Sequence, residues 1–233
     1  MKEYAHIDSV YKRDQKGKFI LGEYSTPEFK YLKDNPWAWT EKIDGTNIRI
    51  MWDGADVRYG GKTDNAQLPS KLVNWLNTQT IRENYDGDDT EGDLAFNPYT
   101  FNRLFGGEGN VCLYGEGYGA GIQKGGGLYS PEQKFILFDV KVGPWWLSRF
   151  GIEDVAKKLN LDVVPIVGTQ TLEEMIAFVG DYRTPEGERH LTEIPQSAIG
   201  TAKMEGYVGQ PVIPLFDRRG RRIITKVKYK DFA

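Results

Sequence analysis

The chain has 233 residues, enough for one large domain or two small ones, and its 39% hydrophobic content excludes a disordered or collagen-like polymer. A single cysteine, Cys112, excludes an internal disulfide or a cysteine-built metal site; with only His6 and His190 besides, a bound metal would be held by oxygens, which points to magnesium or manganese. The net charge of −3 argues against non-specific nucleic-acid binding, but it is unevenly spread: acids crowd residues 83–93, and Arg218, Arg219, Arg221, Arg222, Lys226, Lys228 and Lys230 crowd the C-terminal end.

Trp37 to Ile43 reads as a strand, and the alternation in Asn47 to Trp52 as a second. Asp53-Gly54 is a turn dipeptide, and the chain returns from Asp56 to Gly60 as a hairpin. Leu68 to Asn77 predicts a helix with Leu72, Val73 and Leu76 on one face. Residues 84–96 read as an exposed acidic loop. Asn97-Pro98 opens a helix, because Asn caps and Pro fits the first turn; it runs to about Phe105 and stops at Gly106-Gly107.

Val111 to Gly115 and Lys134 to Val142 are strands around a glycine-rich loop, Gly117 to Gly127. A helix with Ile152, Val155 and Leu159 on one face follows. Val163 to Val167 reads as a short strand, and a second helix starts with the capping box Thr171/Glu174. Gly206 to Val212 and Arg222 to Lys228 are the last strands, with a turn at Asp217 to Gly220. Cys112 and the Trp145-Trp146 pair read as core or anchoring residues. The fold class is α+β, mainly antiparallel sheets with inserted helices, in a single domain over 1–233 without a separate C-terminal domain. No run of eighteen apolar residues and no leader peptide are visible, so the expectation is a cytoplasmic protein with no membrane partner.

The strongest local feature is Glu41-Lys42-Ile43-Asp44-Gly45-Thr46-Asn47. A lysine at a strand end before a tight turn can serve as a covalent nucleophile once its amine is neutral, a state that burial and neighbouring cations favour. Further on, Tyr114-Gly115-Glu116-Gly117 puts a carboxylate at a strand end, Phe138-Asp139 closes an apolar run, Glu205-Gly206-Tyr207-Val208 starts a strand with an acid, and Lys226-Val227-Lys228 sets two lysines on one strand face. Same-face lysines repel each other, so such a pair implies an anion nearby.

This ordered series resembles the motif set of the covalent nucleotidyltransferase superfamily: ATP-dependent DNA ligases, RNA ligases and mRNA capping enzymes. Glu-Lys-Ile-Asp-Gly-Thr-Asn, Gly-Ala-Gly-Ile-Gln-Lys and Glu-Gly-Tyr-Val are most similar to RNA ligases of the phage T4 RNA ligase 2 type, over roughly residues 37–230. The resemblance implies the nucleotidyltransferase (ATP-grasp-like ligase catalytic) fold and an ATP-dependent RNA ligase that joins 3′-hydroxyl and 5′-phosphate ends.

In that reading Lys42 takes AMP from ATP as a lysyl-phosphoramidate, Glu116 meets the ribose, Phe138 stacks on adenine, and Asn47 lies near the reacting end. Glu41 belongs to the nucleotide contacts. Glu205 helps hold the Mg2+ or Mn2+, and Lys226 and Lys228 grip the α-phosphate. Lys62 stands where the family commonly has arginine, keeping the charge without the bidentate fork. The expected partners are RNA ends in a nicked duplex, with an accessory protein replacing the C-terminal domain that such ligases usually carry. The basic strip from Arg218 to Lys228 is expected to hold the substrate backbone. A DNA ligase, a capping-type enzyme and a non-catalytic end-binding protein are the alternative readings.

Overall fold

The computed structural model describes residues 3–81, 93–180 and 194–232. The chain divides into two compact units, each described by itself: a terminal unit of Ala5–Ile43 and Pro165–Ala233, and a central unit of Asp44–Val164 that also includes Tyr4. The architecture is α+β, with mainly antiparallel sheets and helices inserted between their strands.

The terminal unit is organised by β4 (Pro36–Lys42). Its alternation buries Trp37, Trp39 and Glu41 on one face and leaves Ala38, Thr40 and Lys42 partly exposed on the other. β4 pairs antiparallel with β11 (Ile166–Thr171) and with β12 (Gly206–Pro211); β12 pairs with β13 (Thr225–Lys228), and β1 (Asp8–Ser9) closes that edge in the parallel sense. Trp37 and Trp39 stack with ring centroids 6.1 Å apart, in a core with Phe29, Leu172, Met175, Val179, Tyr207 and Val227. The last helix, α5 (Leu172–Gly180), has the expected capping box: the Glu174 N–H donates to Thr171 Oγ1 at 3.1 Å, and the Thr171 N–H donates to Glu174 Oε2 at 2.8 Å. Before β4 lie the hairpin of β2 (Tyr11–Arg13) and β3 (Phe19–Tyr24) and the short helix α1 (Pro27–Tyr31), capped by Thr26.

In the central unit β5 (Thr46–Trp52), β6 (Val57–Gly60), β7 (Val111–Tyr118) and β8 (Lys134–Val142) form an antiparallel sheet, with β9 (Trp145–Trp146) antiparallel and β10 (Asp162–Val163) parallel to β8. One face carries Ile48, Ile50, Trp52, Leu113, Phe135, Leu137 and Val140. It packs on α2 (Ser70–Thr78), α3 (Pro98–Phe105) and α4 (Arg149–Lys158) through Leu72, Leu76, Phe101, Ile152 and Val155. Asn97 caps α3 through the Thr100 N–H at 2.9 Å, as its sequence predicts.

Three expectations change. The strand expected over Val163–Val167 is two strands in different units. Pro165 has no N–H to continue a ladder; β10 ends against β8, where the Val164 N–H donates to Leu137 C=O at 2.9 Å, and β11 starts afresh beside β4. The final strand begins at Thr225, because Arg222 makes only an isolated bridge to Phe216. The acidic loop falls mostly outside the described residues, and its end is only partly exposed: Leu94, which bridges Thr80, is exposed, whereas Ala95 and Phe96 are buried.

Candidate active site

In the terminal unit the strand register assembles the lysines. Gly206 of β12 lies opposite Lys42 of β4 on one side and opposite Lys228 of β13 on the other, while Val208 lies opposite Lys226. A side chain at Gly206 is forbidden: its φ is +154°, and a Cβ there would sit 2.2 Å from the Val227 carbonyl oxygen and 2.7 Å from Lys228 Cα. The preceding residue, Glu205, reaches across this hub. Its Oε2 lies 2.6 Å from Lys42 Nζ and its Oε1 3.1 Å from Lys228 Nζ. The three side chains are only 14–24% exposed, so the pairings are shielded from bulk water.

Burial pushes the Glu205 carboxyl upward, but the attraction of Lys42 and Lys228 outweighs it and holds the group below its ordinary range. Lys226 shares a face with Lys228 and has no carboxylate at salt-bridge distance among the described residues. Burial, then the Lys228 and Lys42 cations, lower its pKa. The anion implied by the two same-face lysines is thus Glu205 for Lys228 alone, and Lys226 remains a partly buried cation suited to a phosphate. Lys230 does not continue this face, because the chain leaves the strand after Lys228 and enters a 3-10 turn over Tyr229–Phe232.

Glu41 does not stand with Lys42. It is buried on the opposite face of β4, where its carboxylate accepts from Ser197 Oγ and, at 3.0 Å, from the Ala198 N–H. That places its side chain on the face opposite Lys42, holding residues 197–198.

In the central unit, Asn47 of β5 lies opposite Glu116 of β7, on the sheet face away from the core. Asn47 Oδ1 is buried with no hydrogen-bond partner among the described residues, an acceptor in need of a donor. Gly45 explains the glycine of the lysine motif: a Cβ there would lie 2.2 Å from the Gly117 carbonyl oxygen and 2.9 Å from Glu116 Cγ. The glycine-rich loop is tied to the same turn, where Gln123 Nε2 donates to the Gly45 carbonyl at 2.9 Å.

Phe138 occupies a bulge in β8, between the paired residues Leu137 and Asp139. It meets the ring of Tyr4 edge-on at 5.1 Å, and Tyr4 also contacts Tyr114 and Trp146 and donates its hydroxyl to Asp139 Oδ2 at 2.8 Å. Trp146 is therefore part of an aromatic cluster, whereas Trp145 is exposed. Lys62 is exposed just beyond β6. Cys112 is buried as expected, and burial pushes its thiol up to about 11.

Arg49 and Tyr4 are not singled out by their sequence context. Arg49 is 0% exposed; its Nε donates to the Gly61 carbonyl at 2.8 Å and its Nη2 lies 2.7 Å from Asp64 Oδ1. Alternation with Ile48 and Ile50 put it on the non-core face, and nothing local indicated that this face is covered. Tyr4 precedes every predicted element.

Among the described residues no three His, Cys, Asp or Glu side chains converge as a metal cage. Glu205, a single shielded carboxylate among lysines, fits instead the way magnesium is usually held with nucleotides, by one carboxylate together with phosphate oxygens and water. Among the described residues no helix is long and apolar enough to cross a membrane.

A family model described as RNA ligase matches residues 35–228. Solved structures share the fold. A Naegleria gruberi RNA ligase mutant with ATP and Mn aligns at a TM-score of 0.54 with 16% identity, covering 98% of this chain and 62% of that one. The same Naegleria ligase with PPi gives 0.54 with 18% identity and the same coverage. A putative ATP-dependent DNA ligase from Aquifex aeolicus gives 0.53 with 15% identity, covering 98% of this chain and 50% of that one. The chain thus spans half to about three fifths of these proteins. No curated protein sequence matches it.

Proposed function

The chain belongs to the RNA ligase family, and from that premise we propose that it is an ATP-dependent RNA ligase that works through a covalent AMP on Lys42. The reading is carried by one observation: Lys42, Glu205 and Lys228 are linked by hydrogen bonds, with Lys226 beside them as a cation without an ion-pair partner among the described residues, all at the motif positions that the family resemblance implies.

Lys42 Nζ attacks the α-phosphorus of ATP. A P–N bond forms, the bond to the β-phosphate oxygen breaks, pyrophosphate leaves, and the amine gives up a proton to solvent. Charge builds on the α-phosphate oxygens, and Lys226 and Lys228 are the groups that stabilise it. Glu205 is the carboxylate that would hold a divalent cation, which would add Lewis-acid stabilisation to the same phosphate. In the central unit Asn47 and Glu116 would bind the ribose side of the nucleotide and Phe138 the base, with Lys62 on phosphate. AMP then passes to a 5′-phosphate, and a 3′-hydroxyl displaces it to seal the strand. The proposed substrate is a nicked duplex with RNA on the 3′-hydroxyl side.

The test is the intact mass of the protein after incubation with ATP and magnesium. One added AMP, absent in Lys42→Ala, is the expected result, and normal adduct formation by that variant would sink the proposal. A GTP-derived adduct would instead move the protein to the capping branch. Sealing rates on all-RNA, mixed and all-DNA nicks decide the polymer, and equal rates with a DNA 3′-end would remove the RNA assignment.

A further inference from the structure

Beyond β12 the chain does not turn straight back into β13. Residues 212–224 form a second, smaller hairpin, in which the Ile223 N–H donates to Leu215 C=O at 2.9 Å, Phe216 bridges Arg222, and the Asp217 N–H donates to Arg221 C=O at 2.8 Å. Asp217 pins the tip. Its Oδ1 accepts the N–H groups of Arg219 and Arg221, and its Oδ2 accepts Arg221 Nε, each at 2.8 Å. The tip is therefore a fixed turn, in which one carboxylate is used up on Arg221.

Arg218 and Arg219 are left over. Both are exposed, and neither has an ion-pair partner among the described residues. In a chain of net charge −3 these cations are held out on a pinned turn instead of being neutralised. Seven residues on from Arg219 stands Lys226, at most about 25 Å away along the chain. A ligand with one charge would occupy either the tip or the lysines; a ligand with charges repeated along its length can meet both.

We propose that this hairpin is a phosphate-gripping arm for a polynucleotide backbone, with Arg218 and Arg219 each taking one phosphate, while Lys226 and Lys228 serve the nucleotide. Its choice of polyanion rests on the ligase reading. Guanidinium forks suit phosphate oxygens bidentately, and backbone contacts of this kind carry no sequence preference, as end joining requires.

The experiment measures binding of a fluorescent nicked RNA duplex with a 5′-phosphate, without ATP or metal, across a salt series. The proteins compared are the unmodified chain, Arg218→Ala/Arg219→Ala and Arg218→Lys/Arg219→Lys. Removing two phosphate contacts should reduce the log–log salt slope by about 1.4 to 1.8 and weaken binding about 25- to 60-fold near 0.1 M salt. The lysine pair should keep the slope, and adduct formation with ATP should be unchanged in both variants. An unchanged slope in the alanine pair overturns the arm. So does parallel loss of adduct formation, which would put the arginines in the nucleotide site, and so does equally tight binding of polyglutamate by the unmodified protein. If the alanine pair reduces the slope as expected yet the unmodified chain never forms an adduct, the arm stands and the ligase reading falls.

Discussion

Glu205 Oε2 lies 2.6 Å from Lys42 Nζ, so the residue implied as metal ligand is the counter-ion of the residue implied as nucleophile. Its other oxygen holds Lys228 at 3.1 Å. Removing this carboxylate leaves two shielded ammonium groups facing each other. Glu205→Gln is expected to lower stability by about 1–2 kcal/mol, less than for a fully buried pair because water still reaches the edge. AMP-adduct formation should fall by about 100-fold or more. Chemical denaturation and adduct kinetics check the two effects separately.

The same carboxyl gives a pH signature. Its folded pKa is depressed, so its contribution to stability is present above the ordinary glutamate value and is lost as pH falls through the folded value. Denaturation midpoints taken down from pH 6 should drop more for the unmodified protein than for Glu205→Gln. Parallel acid limbs would show that Glu205 does not report the Lys42–Lys228 pairing.

The three C-terminal lysines should separate. Lys226→Ala and Lys228→Ala are expected to slow adduct formation by about 100-fold each, and Lys230→Ala by less than about threefold, since Lys230 is exposed in the 3-10 turn after the strand. Equal losses at all three would mean that the chemistry responds to bulk positive charge.

Lys226 adds a test at alkaline pH. Between its lowered pKa and the ordinary lysine value, the unfolded chain holds a proton that the fold has released, so stability rises with pH in that window. A phosphate reverses the preference and draws the proton back. ATP binding should therefore weaken as pH is raised towards 10, and Lys226→Arg, which stays charged, should flatten that decline. Titration calorimetry in buffers of different ionisation enthalpy would detect the proton uptake; none in the unmodified protein counts against Lys226 as the phosphate ligand.

The terminal-unit cluster was legible because strand alternation is local: Lys226 and Lys228 share a face by spacing alone, and Glu205 stands at the start of a strand. The partner of each group was not legible. Glu41 and Lys42 are neighbours in sequence, and only the pairing of β4 with β12 and β11 shows that one is buried against Ser197 while the other meets Glu205. The break at Pro165 was in plain view, but a short apolar run does not say which sheet it joins. Tyr4 and Arg49 escaped because their burial depends on residues far away in sequence, Asp139 and Phe138 for the first and Gly61 and Asp64 for the second.

Arg49 carries the last prediction. A fully buried guanidinium must spend its donors, and here two go to the segment just after β6, on the Gly61 carbonyl and the Asp64 carboxylate. Lys62 lies between those two anchors, so Arg49 fixes the backbone from which Lys62 projects. Arg49→Met keeps the volume but leaves the Gly61 carbonyl without this donor, and should destabilise the protein by about 2–4 kcal/mol. Asp64 is 76% exposed, and asparagine in its place still offers Arg49 Nη2 an acceptor oxygen, so this change costs far less stability than Arg49→Met. Asp64→Asn should therefore leave the denaturation curve nearly in place while the segment loosens, raising the KM for ATP in adduct formation with little change in kcat. Lys62→Ala should raise the same KM further, and Lys62→Arg should restore it. If Asp64→Asn moves stability and leaves KM alone, the Arg49–Asp64 pair is a fastening of the fold and Lys62 owes it nothing.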